Sequence, residues 1–184
     1  MEFNMDLLMV VDRREGFGPE FGKLVSMMDY ARFTTLGEVK NLTIEELDYL
    51  FDEEANSIGM LLAHFAAVER VYQIVTFENR DPSEEELEPL LPGLDLGTRG
   101  RETFKGYPLE FYLKELADVR TATLEKFKTL PDEWLYERTP FWWNKPANNF
   151  FKWFHVFEDE LNHRGQIRII KKMIKRGELT TTNS

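Results

Sequence analysis

The chain contains no cysteine among its 184 residues. This absence excludes disulfide frameworks, thiolate zinc sites, iron–sulfur clusters and cysteine nucleophiles together. The first ten residues lack both a basic segment and an apolar run long enough for a secretory leader. A chain without cysteine and without such a leader is expected in the cytoplasm.

Positive charge is also scarce, because 23 Lys and Arg face 33 Asp and Glu for a net charge of −10. The one basic run, residues 168–176, lies at a predicted helix C-terminus, where cations interact favourably with the helix dipole. A nucleic-acid partner is therefore not expected. No stretch approaches the roughly 18 uncharged apolar residues of a membrane span, so no membrane association is expected either.

Apolar residues, by contrast, are plentiful, and their spacing is helical over most of the chain. The length fits one domain over 1–184, with an N-terminal extension at 1–20 and a tail at 178–184. Residues 79–107 are rich in Pro and Gly and predict a long crossover loop between helices two and three, with room for one short helix. The sequence predicts an all-α four-helix bundle. Its long helices begin at Phe21, at 55–57, at Pro108 and near Asn149.

Local signals mark several helix ends. Thr43 and Glu46 form a capping box for a short helix, and Asn56 or Ser57 caps the second long helix. Gly177 is read as the stop signal of the last helix. Gly165 lies in the middle of that helix, where glycine costs about 1 kcal/mol relative to alanine, and predicts a close helix approach.

Ionisable residues interrupt the apolar face of the last helix. Its core row should contain positions 160 and 163, which are Glu160 and His163, with Asp159 beside them. Burying an unpaired carboxylate costs several kcal/mol, on the order of an unsatisfied buried charge. Such groups therefore need a compensating partner. The rest of the row is Trp153, Val156, Ile167, Ile170 and Ile174.

Helical geometry limits what that partner can be. Asp159 and His163 are four residues apart and Glu160 and His163 are three apart, so either pair can converge on one ion. His64 interrupts an apolar row of the second long helix in the same way. If the two helices face each other, two imidazoles and one carboxylate meet, a set that suits Zn²⁺, Ni²⁺, Mn²⁺ or Fe²⁺.

Ordinary structural roles compete with this interpretation. A core histidine such as His64 is commonly hydrogen-bonded to a backbone carbonyl or to a tyrosine. Asp159 and Glu160 can also form a solvated helix edge, with Asp159 paired to Lys152 or Arg164. The aromatic segment that includes Trp142 and Trp143 can wall a pocket above a metal, or it can be plain packing.

Two segments resemble the DinB/YfiT-like superfamily, in its DUF664-type branch. Residues 55–69 look like the second helix of that family, and residues 155–167 look like its fourth-helix signature. The resemblance implies metal ligands at His64, Asp159 and His163, with Asp159 replacing a more usual histidine. Gln166, one turn after His163, is then a candidate to orient a ligand or a bound water.

The same resemblance implies thiol-dependent transferases or isomerases, in which a divalent metal activates a low-molecular-weight thiol cosubstrate. It also implies a homodimer. A hydrolase with Glu160 as general base is compatible with the same residues. The alternative is a non-catalytic metal- or small-molecule-binding protein with a stress-related role.

Overall fold

The computed structural model describes the backbone of residues 3–181 and the side chains of residues 3–177. These residues are mostly helical, with one small antiparallel sheet. The helices are α1 (Pro19–Val39), α2 (Ile44–Asp48), α3 (Ile58–Gln73), α4 (Glu84–Leu87), α5 (Leu91–Asp95), α6 (Thr98–Thr103), α7 (Leu109–Phe127) and α8 (Asn149–Thr181). The strands are β1 (Arg138–Pro140) and β2 (Pro146–Asn148).

The all-α class predicted from the sequence agrees with this composition, but the described residues form eight α-helices rather than four. The four longest, α1, α3, α7 and α8, correspond to the four predicted helices. Helix α8 packs against both α1 and α3, and α3 also packs against α7. Helix α3 is therefore central, and it is buried over most of its length.

The prediction of a crossover loop is corrected by the structure, because residues 79–107 contain the three short helices α4, α5 and α6. Ser83 caps α4 by accepting a hydrogen bond from the backbone N–H of Glu86. Helix α5 packs directly on α3. Gly93 permits this close approach, because a Cβ there would lie 3.0 Å from Cβ of Ala67. The many Pro and Gly residues of this segment interrupt the apolar spacing by which helices are recognised in a sequence, so these three helices were not predicted.

Residues 138–148 form a hairpin, which the apolar spacing did not predict. Arg138 pairs with Asn148 and Pro140 with Pro146. The two strands have three residues each, too few for a recognisable alternation.

The helix ends were partly predicted. The capping box of Thr43 and Glu46 is confirmed, and Ser57 rather than Asn56 caps α3. Gly177 does not stop α8, whose backbone continues to Thr181. The close approach predicted at Gly165 is wrong, because a Cβ there would meet no atom within 4 Å. Within the predicted tail, residues 182–184 lie outside the described residues.

Among the described residues, one segment has the length and composition of a membrane span. It runs from Ile58 to Glu78, through α3 and the π-helical turn Ile74–Glu78 that follows it. Because 67% of its apolar window is buried inside the protein, it behaves as the core helix of a helical domain.

Candidate metal centre

The three residues predicted as metal ligands lie together between α3 and α8. His64 comes from α3, and Asp159 and His163 come from successive turns of α8. Their ligand atoms all lie within 4.8 Å of one another. The side chains of His64, Asp159 and His163 are 11%, 17% and 16% exposed, so the cluster is partly buried but still reached by solvent.

The hydrogen bonds of His64 determine which of its nitrogens is available. Nδ1 of His64 lies 2.8 Å from the carbonyl oxygen of Gly93. A carbonyl only accepts hydrogen bonds, so Nδ1 must carry the proton and donate. Nε2 of His64 then faces Oδ2 of Asp159 at 3.2 Å. In the neutral imidazole this nitrogen presents a lone pair to an anionic oxygen, and the contact is attractive only when a proton or a metal cation lies between the two atoms.

Two further atoms of the cluster lack hydrogen-bond partners. Oδ2 of Asp159 and Nδ1 of His163 are buried, and neither makes a hydrogen bond of good geometry. Nε2 of His163 lies 3.4 Å from Oδ1 of Asp159. Buried polar atoms are normally satisfied, so unpaired nitrogen and oxygen atoms converging from two helices need an explanation. A divalent ion fits, because imidazole and carboxylate are its ordinary ligands.

The protonation of the cluster follows from its charges. Burial disfavours the charged form of Asp159, but the close approach of the His163 and His64 imidazoles outweighs it and holds the pKa of Asp159 well below its usual range. The Asp159 carboxylate in turn raises the pKa of His163, against the opposing effect of burial. Asp159 is therefore ionised at neutral pH and available as a ligand, and its negative charge favours the protonated form of His163.

Gln166 lies one turn after His163, as expected from the sequence. Its side chain is among the groups that raise the pKa of His163, after the larger effect of Asp159. Gln166 is itself exposed. Its side chain is therefore close enough to His163 for Gln166 to stay a candidate for orienting that ring or a bound water.

Glu160 requires a correction, because it is not part of this cluster. Both of its carboxylate oxygens accept hydrogen bonds from Nε of Arg32, at 3.0 and 3.1 Å, and Glu160 is 1% exposed. The side chains whose ligand atoms converge are those of His64, Asp159 and His163, and Glu160 is not among them. It is therefore neither the third ligand nor a general base at the cluster.

Glu160 instead belongs to a buried network with one charged residue from each long helix. Arg32 of α1 also contacts Glu69 of α3 at 3.3 Å, and Nε of Arg120, on α7, donates to Glu69 at 2.8 Å. Thr123 donates a further hydrogen bond to Glu69. Burial alone would raise the pKa of Glu69, but the two arginines outweigh it and lower that pKa.

Sequence reasoning missed Arg32 and Arg120, although a signal was present. Each arginine interrupts the apolar row of its helix, in the same way as His64 and His163 do in theirs. The competing pairs for Asp159 do not form: Lys152 bonds to Thr139, and Arg164 bonds to Thr34.

Solved structures of similar fold come from two bacteria. An uncharacterized protein from Clostridium difficile 630 has a TM-score of 0.61 and 16% identity, over 83% of this chain and 95% of that one. A conserved protein from Enterococcus faecalis has a TM-score of 0.61 and 17% identity, over 81% and 93%. At this identity the likeness shows the fold alone.

Sequence comparison identifies the family. No curated protein matches the chain. The family model described as mycothiol-S-transferase matches residues 23–176, which include α3, α7, most of α1 and α8, and the candidate ligands His64, Asp159 and His163. That family lies within the DinB/YfiT-like superfamily. The chain therefore belongs to the mycothiol-S-transferase family.

Proposed function

We propose that this protein is a metal-dependent thiol S-transferase, which joins a low-molecular-weight thiol to a small electrophilic molecule. The observation that carries the proposal is the contact of His64 Nε2 with Asp159 Oδ2 at 3.2 Å, beside His163. Family membership supports the reaction class, and mycothiol is accordingly the first thiol to test.

The ligands are the side chains of His64, Asp159 and His163. The carbonyl of Gly93 fixes the tautomer and ring orientation of His64, so that Nε2 is presented to the ion. Two imidazoles and one carboxylate suit Zn²⁺, Ni²⁺, Mn²⁺ or Fe²⁺ and leave further coordination positions for small molecules. When bound, such an ion acts as a Lewis acid that favours the thiolate form of a thiol.

The composition of the chain and the exposure of the cluster determine what else the proposed reaction requires. Because the protein has no cysteine, the nucleophilic sulfur must arrive with the cosubstrate. The partial exposure of Asp159 and His163 leaves the cluster open on one side. Ionised Asp159 reduces the net positive charge of the site relative to a three-histidine site.

The proposal does not include a hydrolase that acts through Glu160, because Arg32 binds that carboxylate.

We further propose that α1, α3, α7 and α8 act as a four-helix scaffold around the charged network, and that the protein pairs as a homodimer. The non-catalytic alternative is an outcome of the test below.

The test measures thiol consumption by the metal-loaded protein with mycothiol and 1-chloro-2,4-dinitrobenzene. We expect turnover that is lost in His64→Ala and in chelator-treated protein and returns when metal is added to the wild type. The control is Asp118→Asn, which changes an exposed carboxylate on α7 that pairs with Lys114. Stoichiometric metal without turnover over a panel of electrophiles would instead support the non-catalytic alternative.

A further inference from the structure

Four aromatic rings form a continuous surface next to the metal-ligand cluster. We call this surface the aromatic wall; its members are Tyr72, Phe141, Trp142 and His155. The centroids of the Trp142 and His155 rings are 4.6 Å apart, and those of Tyr72 and His155 are 5.8 Å apart. Phe141 stacks on Trp142 at 4.7 Å. Three chain segments thus contribute to one surface: α3, the hairpin and α8.

This wall lies next to Asp159 of the cluster. His155 precedes Asp159 by four residues on α8, so the two side chains lie on the same face one turn apart. Tyr72 lies on α3, the helix of His64. Burial, and after it the negative charge of Asp159, raises the pKa of the Tyr72 hydroxyl. The Tyr72 side chain is therefore close to the carboxylate of the cluster.

The outer part of the wall is not ordinary core packing. Trp142 is 45% exposed and its neighbour Trp143 is 86% exposed. Trp143 and Asn144 have φ values of 54° and 55°, two successive left-handed residues in the tight turn of the hairpin. This conformation is strained for a bulky side chain such as that of Trp143. The turn therefore holds two indoles at the surface at a cost in stability.

The hairpin is fixed firmly to α8, so the wall is preformed. Lys152 is 1% exposed, donates a hydrogen bond to Thr139, and has its Nζ 5.2 Å from the centroid of the Phe141 ring. Burial lowers the pKa of this ammonium group. Asn149, at the start of α8, donates its side-chain N–H to the carbonyl of Trp134. The Lys152 contacts hold the hairpin against the first turns of α8, and the Asn149 bond holds the segment that precedes the hairpin.

We propose that the aromatic wall binds the electrophilic substrate, and that this substrate carries an electron-poor aromatic ring that stacks on Trp142. The inference rests on the proposed function. An aromatic ring gains both buried apolar area and favourable ring geometry from such a surface, whereas a small aliphatic electrophile gains little of either. With an aryl halide, the thiolate sulfur forms a bond to the ring carbon, and the halide leaves with the electrons of the broken carbon–halogen bond.

The first experiment measures binding without reaction. Isothermal titration calorimetry with 1,3-dinitrobenzene, which lacks a leaving group, compares the wild type with Trp142→Ala, Trp142→Phe and Phe154→Ala. We expect Trp142→Ala to weaken binding about tenfold and Trp142→Phe to retain most of it. Phe154 is the matched control, because it is 42% exposed on α8 but contacts Phe151 and Phe157 instead of the wall.

His64→Ala separates this inference from the proposed function, because it removes a metal ligand and leaves the wall in place. It should bind 1,3-dinitrobenzene as the wild type does. Absence of binding to the wild type, or equal affinities for the wild type and Trp142→Ala, would overturn the inference whatever the metal content.

The second experiment measures selectivity in turnover with mycothiol. The ratio of kcat/KM for 1-chloro-2,4-dinitrobenzene to that for iodoacetamide should fall about tenfold in Trp142→Ala, and it should not change in Phe154→Ala. An unchanged ratio in Trp142→Ala would show that the wall does not select the electrophile.

Discussion

Nε2 of His64 faces Oδ2 of Asp159 at 3.2 Å, while Nδ1 of the same ring is held by the carbonyl of Gly93. The carbonyl bond places the proton on Nδ1, so the contact with Asp159 requires a second proton or a metal ion at Nε2. A proton and a metal ion therefore compete for the same nitrogen of His64, and they compete in the same way for the imidazole of His163.

This competition predicts opposite pH dependences for metal affinity and for the stability of the metal-free protein. The raised pKa of His163 stabilises the metal-free fold fully below the ordinary value of 6.5, and this contribution is lost as the pH rises through the raised value. The lowered pKa of Asp159 stabilises the fold above the ordinary value of 3.8, and its contribution is lost as the pH falls through the lowered value.

As the pH rises above about 6.5, the metal-free protein should therefore lose the stabilising contribution of His163. Its affinity for Zn²⁺ should rise over the same range. Urea unfolding of chelator-treated protein and calorimetric titration with Zn²⁺ measure the two slopes. Asp159→Asn is the comparison, because it removes the charge that raises the pKa of His163. A Zn²⁺ affinity that does not change with pH through this range would contradict the account.

Gly93 links helix α5 to His64 of the candidate metal centre. A Cβ at this position would lie 3.0 Å from Cβ of Ala67 and 3.2 Å from the carbonyl oxygen of Ala63. Gly93→Ala should push α5 away from α3 and weaken the bond to His64. Loss of such a supporting bond typically costs about 10–100-fold in metal affinity.

The matched control is Gly37→Ala on α1, where an added Cβ meets no atom within 4 Å. It should leave the affinity unchanged and raise stability by about 0.5–1 kcal/mol. Competition with a metal-sensitive dye measures both variants. Equal affinities in Gly93→Ala and the wild type would show that the carbonyl of residue 93 does not support the ligand.

The charged network between the long helices predicts a large and non-additive effect on stability. Arg32→Met leaves Glu160 buried without its main partner and should cost about 3–5 kcal/mol in the free energy of unfolding. The double variant Arg32→Met, Glu160→Met should cost less than Arg32→Met alone, because the pair of Glu69 and Arg120 that remains is neutral.

Urea denaturation of the two single variants and the double variant gives the coupling energy. Lys114→Met, in an exposed pair with Asp118, provides the surface comparison and should change stability by no more than about 1 kcal/mol. Additive effects of the two network substitutions would contradict the role assigned to the buried pair.

The sequence predicted the parts of this protein that depend on helical periodicity and spacing along one helix. The four long helices follow from apolar rows, and Asp159 and His163 follow from their separation of four residues. The choice between Asp159 and Glu160 could not be made in this way, because it depends on Arg32, which lies more than a hundred residues away. Only packing decides which carboxylate faces an arginine.

The short elements were missed for a different reason. Helices α4 to α6 and the hairpin are stabilised by contacts with α3 and α8, such as Gly93 against Ala67 and Lys152 against Thr139. Their own periodicity is too short to be recognised. The aromatic wall combines residues of the hairpin with residues of α3 and α8, so its position beside the candidate ligands appears only in the folded chain.

Elemental analysis of tag-free protein tests the central claim most directly, on the wild type and on His64→Ala, Asp159→Ala and Glu160→Gln. The account predicts close to one divalent ion per chain in the wild type and in Glu160→Gln, and its loss in His64→Ala and Asp159→Ala. Absence of metal from the wild type after reconstitution would contradict it, as would full metal content in Asp159→Ala.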